Sequence, residues 1–219
     1  MRLPPWTHTM LSDLGNCMWK GYRARIKKDL PKEEKSQEQN LGIHVHKAFE
    51  IAINQRSVET LPEAYRHLAA PMIAMGALAE VRMGVNDDGS GADFWGSPWG
   101  RGVADVLIID RRQSLAVLFD WKTGKVREDD RELRAQSYLV KANYNVEHVQ
   151  GAYVWLIENR MGMVYDLSDT TRWENGTRAL LAKTQEAVDS GVIPKQPNPL
   201  CNWCPVKDCE YWETWVKRG

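Results

Sequence analysis

Asp120-Trp121-Lys122 closes an apolar run, Leu115-Ala116-Val117-Leu118-Phe119. In a β-strand, residues two apart project to the same face, so the Asp120 carboxylate and the Lys122 ammonium are expected side by side at the end of a buried strand. A second carboxylate, Asp105, lies in another apolar run, Val103 to Ile109. Charged groups in such places are costly unless they pair or bind metal. Two carboxylates and a lysine at one point can hold a divalent cation and orient a water against a phosphodiester. Taken alone, Asp-x-Lys is as readily a solvated ion pair, so its neighbours decide. Upstream, in Gly42-Ile43-His44-Val45-His46-Lys47-Ala48-Phe49-Glu50, His46 and Glu50 are four apart and share a helix face. His44, two residues from His46, faces elsewhere and is expected at the surface or in the core.

The four cysteines form a second pattern. Cys201, Cys204 and Cys209 cluster near one end of the chain, and Cys17 lies near the other. Four thiolates make a complete ligand set for an iron–sulfur cluster or a tetrahedral zinc. The two-residue spacing of Cys201 and Cys204 favours metal, whereas two disulfides would suit a secreted chain. Spacing alone does not separate zinc from iron–sulfur.

Together these motifs resemble the RecB-like branch of the PD-(D/E)XK nucleases, in particular iron–sulfur exonucleases such as the CRISPR-associated RecB-like exonucleases and the AddB nuclease domain. The resemblance runs from Ser12 to Trp212. It rests on Cys17 in an N-terminal helix, Gly42-x3-His46-x3-Glu50, Gly102-x2-Asp105, Asp120-x-Lys122, Gln136 and the three-cysteine cluster, in that order. It implies a restriction-endonuclease-like α/β fold, a central mixed sheet flanked by helices, with the two ends joined at a cysteine metal cluster. It implies a manganese or magnesium site of His46, Asp105, Asp120 and the Trp121 carbonyl, with Lys122 and Gln136 as further catalytic groups. It implies a 4Fe–4S cluster (zinc being the alternative) on Cys17, Cys201, Cys204 and Cys209. The chain departs from the pattern four residues after Gln136, where Val140 stands in place of a tyrosine; Tyr138 lies on a different helix face.

The chemistry expected of these groups is specific. Asp105 and Asp120 bind one or two cations through oxygen. His46 adds an imidazole, which tilts preference toward manganese over magnesium. Lys122 orients or helps deprotonate the attacking water, or steadies charge on the phosphorane. Gln136 hydrogen-bonds near Lys122 or the substrate. Glu50 is expected either to reach the metal through water or to pair with a basic neighbour, and Glu80 to approach the site only loosely.

The chain has 219 residues, enough for one compact domain, and no apolar run long enough to span a membrane. Lys plus Arg and Asp plus Glu each number 29, so any nucleic-acid surface must come from segregated charge. Arg23, Arg25, Lys27 and Lys28 form one basic cluster, and Lys122, Lys125 and Arg127 another. Among ten tryptophans, Trp95, Trp99 and Trp121 flank the chemical motifs and are candidates for stacking on bases.

Pattern and turn signals place these residues on helices at Thr9–Ile26, Leu41–Asn54, Leu61–Ala79 (interrupted near Pro71), Arg127–Asn143 and Thr170–Ser190. Strands are expected at Glu80–Val85, Gly102–Asp110, Ser114–Lys122, Val149–Ile157 and Met161–Asp166. Asp29–Asn40 is expected to be a loop, Pro194–Pro199 a proline-rich approach to the cysteines, and 194–212 the C-terminal segment that forms the cluster with the helix of Cys17. The whole is expected to be a single nuclease domain over 1–219, with its core at about 41–166. The expected function is a metal-dependent DNA exonuclease acting on single-stranded or end-containing DNA, in recombination or repair. The alternative is a nuclease-fold protein that binds DNA without cutting it. No secretory signal opens the chain, so a cytoplasmic location is expected, that of the host if the chain is phage-encoded. Whether a helicase or recombinase delivers the DNA is left open.

Overall fold

The computed structural model describes residues 1–31, 36–127 and 129–212. Its contacts divide the chain into two compact units, one of residues 1–33 and 174–219, the other of residues 34–173.

The second unit is built on one mixed sheet. The strands are β1 (Leu78–Val85), β2 (Gly91–Ala92), β3 (Gly100–Asp110), β4 (Leu115–Lys122), β5 (His148–Trp155) and β6 (Arg160–Asp166). They lie in the order β2-β1-β3-β4-β5-β6. Every pairing is antiparallel except β4 with β5. A parallel pair needs a crossover, supplied here by α5 (Arg131–Asn143). Two further helices, α3 (Gln37–Asn54) and α4 (Glu63–Ala74), pack Phe49, Ala52, Ile53, Leu68, Ala69 and Met72 against Val106, Ile108, Phe119, Trp121, Ala152 and Val154. Neighbouring strand residues face opposite ways. On β4, Trp121 meets Phe49 of α3 at 4.1 Å between ring centroids, while Asp120 meets Gln136 of α5. Gly102 lets α5 settle onto β3, since a Cβ there would fall 2.8 Å from Leu139 Cδ1.

Helix starts and breaks differ from the sequence expectations. The helix α3 begins at Gln37, inside the segment expected to be a loop, because Ser36 and Gln39 form a reciprocal capping box. Of that loop, residues 32–35 lie outside the described residues. Pro71 does not interrupt α4; the burial of Leu68, Ala69 and Met72 outweighs the single hydrogen bond a proline removes. The helix expected over Thr9–Ile26 breaks at Cys17, whose backbone is extended (φ −161°, ψ 112°), into α1 (His8–Asn16) and α2 (Met18–Gly21), followed by π-helical turns at Tyr22–Lys27. Thr7 caps α1, its Oγ1 accepting the Met10 N–H at 3.2 Å.

These N-terminal elements form the first unit with α6 (Thr171–Ser190, counted from its fourth residue) and a 3₁₀ turn at Pro199–Trp203. Backbone and side-chain bonds join its two segments. Trp19 N–H donates to the Pro194 carbonyl at 3.0 Å, Met18 N–H to Gln196 Oε1 at 3.0 Å, and Asn198 Nδ2 to the Asn16 carbonyl at 3.0 Å. Arg23 pairs with Asp208 at 2.9 Å. The expected four-cysteine cluster is overturned. Cys17, Cys201, Cys204 and Cys209 are all free thiols lining one cavity. No three of their sulfurs come within 4.8 Å of one another, and the one convergent ligand group among the described residues lies elsewhere. The thiols are engaged singly: Cys201 Sγ accepts the Asn198 N–H at 3.4 Å and Cys209 Sγ faces Glu210 at 3.9 Å. Burial raises the Cys204 thiol above its ordinary pKa, away from the thiolate a metal would need. Neither a 4Fe–4S nor a zinc cofactor on these residues stands, and the ends of the chain are not joined through one.

Three members of the first basic cluster are compensated by acidic neighbours. Arg25 pairs with Asp13 at 2.6 Å, and Arg23 and Lys27 pair with Asp29 at 2.6 and 2.7 Å. No helix of the described residues is long and apolar enough to cross a membrane.

Candidate metal centre

Strand register builds the site. β3 and β4 pair from Asp110↔Leu115 down to Val106↔Phe119, and no further. One step on in the same register, Asp105 stands opposite Asp120. There Asp105 Oδ2 accepts the Trp121 N–H at 3.0 Å, so a carboxylate replaces the main-chain acceptor and the ladder opens. On the other side, β1 pairs Ala79↔Val106 and Val81↔Ala104, which sets Glu80 opposite Asp105. Glu80 holds a left-handed backbone, φ +52°, in the middle of a strand. From α3, His46 Nδ1 lies 3.3 Å from Asp105 Oδ2. Ligand atoms of His46, Glu80 and Asp105 all lie within 4.8 Å of one another.

A second group sits beside the first. Asp120 is 3% exposed. Its Oδ1 accepts Gln136 Nε2 at 3.1 Å, and Gln136 also reaches the Val103 carbonyl at 3.4 Å, so α5 ties the tips of β3 and β4. Lys122 Nζ lies 2.6 Å from Asp120 Oδ2 and 2.6 Å from Glu132 Oε2, and 5.2 Å from the Tyr153 ring centroid. Asp120 Oδ2 makes no hydrogen bond; the lysine touches it as a charge, outside hydrogen-bond geometry.

Four carboxylates therefore converge with one lysine and one imidazole. Burial and the neighbouring Asp105 push Asp120 up to about 7 against the pull of Lys122. Burial, Asp105 and Glu50 raise Glu80. For His46, burial acts downward but the Asp105 carboxylate outweighs it and raises the pKa. Lys122 is likewise raised despite burial, by Asp120 and Glu132, and stays charged. An excess of crowded carboxylate is the charge pattern a divalent cation relieves. Oxygen donors with one imidazole are a suitable set for a hard or borderline divalent metal, and the unsatisfied Asp120 oxygen fits the same demand.

The structure thus sorts the sequence candidates. His46 and Asp105 converge, and His46 also reaches the Trp121 backbone. Asp120, Lys122 and Gln136 form the adjoining group. Glu80, expected only loosely near, is a full member of the convergent set. Glu132 was not anticipated, although its place four residues before Gln136 puts the two on one helix face. Glu50 pairs with Lys47 at 2.8 Å. His44 is exposed, its Nδ1 against the Asn40 carbonyl. Tyr138 is buried between Trp99 and Trp173. The Trp121 ring is core, 2% exposed, whereas Trp95 is 74% exposed. Next to the centre, a cleft of about 860 Å³ is lined by Gln39, Gly42, Ile43, His46, Lys47, Glu50, Glu80, Thr123 and Gly124.

A mixed sheet thus carries a carboxylate centre where two central strands open. The chain belongs to the PD-(D/E)XK nuclease superfamily, whose profile matches residues 78–209. The restriction-endonuclease-like α/β core stands, while the narrower placement with the four-cysteine iron–sulfur branch is corrected: the group placed to hold a metal ion is His46, Glu80 and Asp105. Family and centre together support metal-dependent nuclease activity in general. No curated protein matches the chain. Among solved structures, the crystal structure of SSO0001 is similar at 16% identity and a TM-score of 0.48, over 93% of this chain and 86% of that one.

Proposed function

We propose that this protein is a metal-dependent deoxyribonuclease that degrades single-stranded or end-containing DNA exonucleolytically. The observation that carries the reading is the convergence of His46, Glu80 and Asp105 beside the Asp120–Lys122 pair. A divalent cation on that set supplies neutralisation of the scissile phosphate and a more acidic water. The protein's own groups do the rest. Asp105 is fixed by the Trp121 N–H and by His46. Asp120 is held by Gln136. Lys122 is held charged between Asp120 and Glu132, which suits it to stabilise charge developing on the phosphate rather than to act as a base.

The test uses end-labelled single-stranded DNA, duplex DNA and covalently closed single-stranded circles, with magnesium, manganese or EDTA. Expected is loss of label from linear strands with a divalent ion and sparing of the circles. Asp120→Asn and Lys122→Ala should each lower the rate by about 10²-fold or more with unchanged melting cooperativity. Cutting of circles would replace the exonuclease reading by an endonuclease one. DNA binding without cutting under every metal would establish the silent binder.

A further inference from the structure

Between the metal centre and the far ends of β1 and β3 the sheet carries little charge. Over Val81–Val85 and Gly100–Ala104 the only charged residues are Arg82 and Arg101. Facing residues of an antiparallel pair share a face of the sheet, and the register sets Arg82 against Val103 and Gly84 against Arg101. The alternate residues belong to the other face: Met83 and Val85 are buried, and Gly102 lies against Leu139 of α5. Arg82 and Arg101 therefore leave the sheet on the side away from α5. From that side α3 brings His46 to Glu80 and Asp105. Arg82 is exposed and within electrostatic reach of Glu80.

Beyond Arg101 the row ends on an aromatic pair. Arg101 lies over the Phe94 ring, 5.3 Å from its centroid, and donates from Nη1 to the Phe94 carbonyl at 3.2 Å, which leaves its other guanidinium donors. Phe94 meets the Trp95 ring edge-on, at 4.9 Å and 83°. The segment that holds them is pinned by the Gly96 N–H on the Asp93 carbonyl at 3.2 Å and by the Trp99 N–H on the Val85 carbonyl at 2.8 Å. Among the tryptophans that flank the chemical motifs, Trp121 is core and Trp99 turns its ring to Tyr138 at 6.3 Å. Trp95 is the exposed one. An indole held from behind and left in water is a stacking surface.

Two guanidinium groups and an indole, in a row that starts at a metal centre, match one ligand. Phosphates answer the arginines. The indole takes the face of a base, which only an unpaired strand offers. From the Glu80–Asp105 pair to the Gly84–Arg101 pair is about 13 Å at the rise of a strand, or about four phosphates of a stacked nucleic-acid strand. Resting on the nuclease reading for the end that is cut, we propose that unpaired DNA runs from the metal centre along β1 and β3. Its phosphates lie on Arg82 and Arg101, and a base about four nucleotides from the cut stacks on Trp95.

Fluorescence anisotropy of a labelled thymidine strand of about twelve nucleotides tests the track, in EDTA so that no bond is cut. Trp95→Ala should raise the dissociation constant about fivefold or more, the weight of one stacked base. Trp95→Phe should recover most of that loss. On a strand of the same length without bases, Trp95→Ala should bind as the parent does. Arg82→Ala should weaken both strands alike and reduce the slope of log affinity against log salt by about 0.7, the value of one phosphate on a single strand. Binding to a blunt duplex should be indifferent to Trp95→Ala. Both side chains are exposed, so the variants should melt with the parent. A thymidine strand that the parent does not bind, or that Trp95→Ala binds equally well, overturns the proposal. An equal loss on the strand without bases overturns stacking, and an equal loss on the duplex overturns the unpaired strand as occupant. An unchanged salt slope in Arg82→Ala removes the phosphate contact. Because binding is read without metal, the two readings fail separately. A protein that shows these losses but cuts no DNA overturns the nuclease reading alone, and a nuclease whose strand binding ignores Trp95→Ala overturns the track alone.

Discussion

A glutamate at φ +52° in a strand, opposite a second carboxylate, is disfavoured twice. The left-handed backbone costs an L-residue about 1–2 kcal/mol, and Asp105 repels the charge. Strain of this kind persists where the surroundings impose it and collects at functional sites. Glu80→Gly separates the two demands. Glycine takes the backbone without strain and removes the repulsion, against an entropic cost of about 0.5–1 kcal/mol. In EDTA the variant should melt at the parent temperature or above it. Added manganese should raise that temperature less than it does for the parent, and DNA degradation should fall at least tenfold. A variant that melts several degrees lower in EDTA would show that the Glu80 side chain stabilises the metal-free fold. Glu80 was barely legible in the sequence. It begins an apolar strand, but its partnership with Asp105 exists only through the β1–β3 register, and nothing in the local residues announces a positive φ. Asp105, Asp120 and Lys122 were legible because charge inside an apolar run is costly enough to mark itself.

At the level of elements, the crossover helix α5 does what the strands alone cannot. β4 and β5 are parallel, so the chain must return over the sheet, and the returning helix carries Gln136 onto Asp120. Gln136→Leu keeps roughly the volume but leaves the buried Asp120 oxygen without its amide donor. A loss of about 1–3 kcal/mol is expected for an unsatisfied buried acceptor, read as a lower urea midpoint with an unchanged m-value. An unaltered midpoint would show that Lys122 alone satisfies Asp120. The strands other than β2, and the β3–β4 hairpin, could be read from sequence because apolar runs bounded by turn residues encode them locally. The start of α3 was misread because Gln37–Asn40 has no apolar periodicity; the Ser36–Gln39 capping signature was the available clue. The cysteines were misread because a short spacing constrains only neighbours in sequence, whereas a cluster needs all four sulfurs at one point.

For the whole molecule, the carboxylate centre links stability to pH. Asp120, Glu80 and His46 all have folded pKa values above their ordinary ones. The folded state then binds more protons than the unfolded chain, so the stabilisation they give is complete below the ordinary carboxylate pKa and is lost as pH rises through the folded values. For Asp120 the window runs from about 4 to about 7. In EDTA the melting temperature should therefore fall between pH 5.5 and 8. Manganese should restore more stability at pH 8 than at pH 5.5, because a bound cation competes with those protons. A metal effect of equal size at both pH values would separate cation binding from these carboxylates.

The division into units gives biosynthesis an order. Residues 34–173 are contiguous, so the sheet and its metal centre can close as soon as that stretch has left the ribosome. Residues 1–33 are made first but find their partners, such as Asp208 for Arg23 and Gln196 for the Met18 N–H, only when residues 174–212 have been synthesised. At roughly 5–20 residues per second that interval is about 10–35 seconds. During it Trp6, Met10, Leu14 and Met18, all buried in the finished protein, wait without the segment that completes their unit. Residues 1–33 thus complete their unit only after the stretch that follows them in sequence has been able to close.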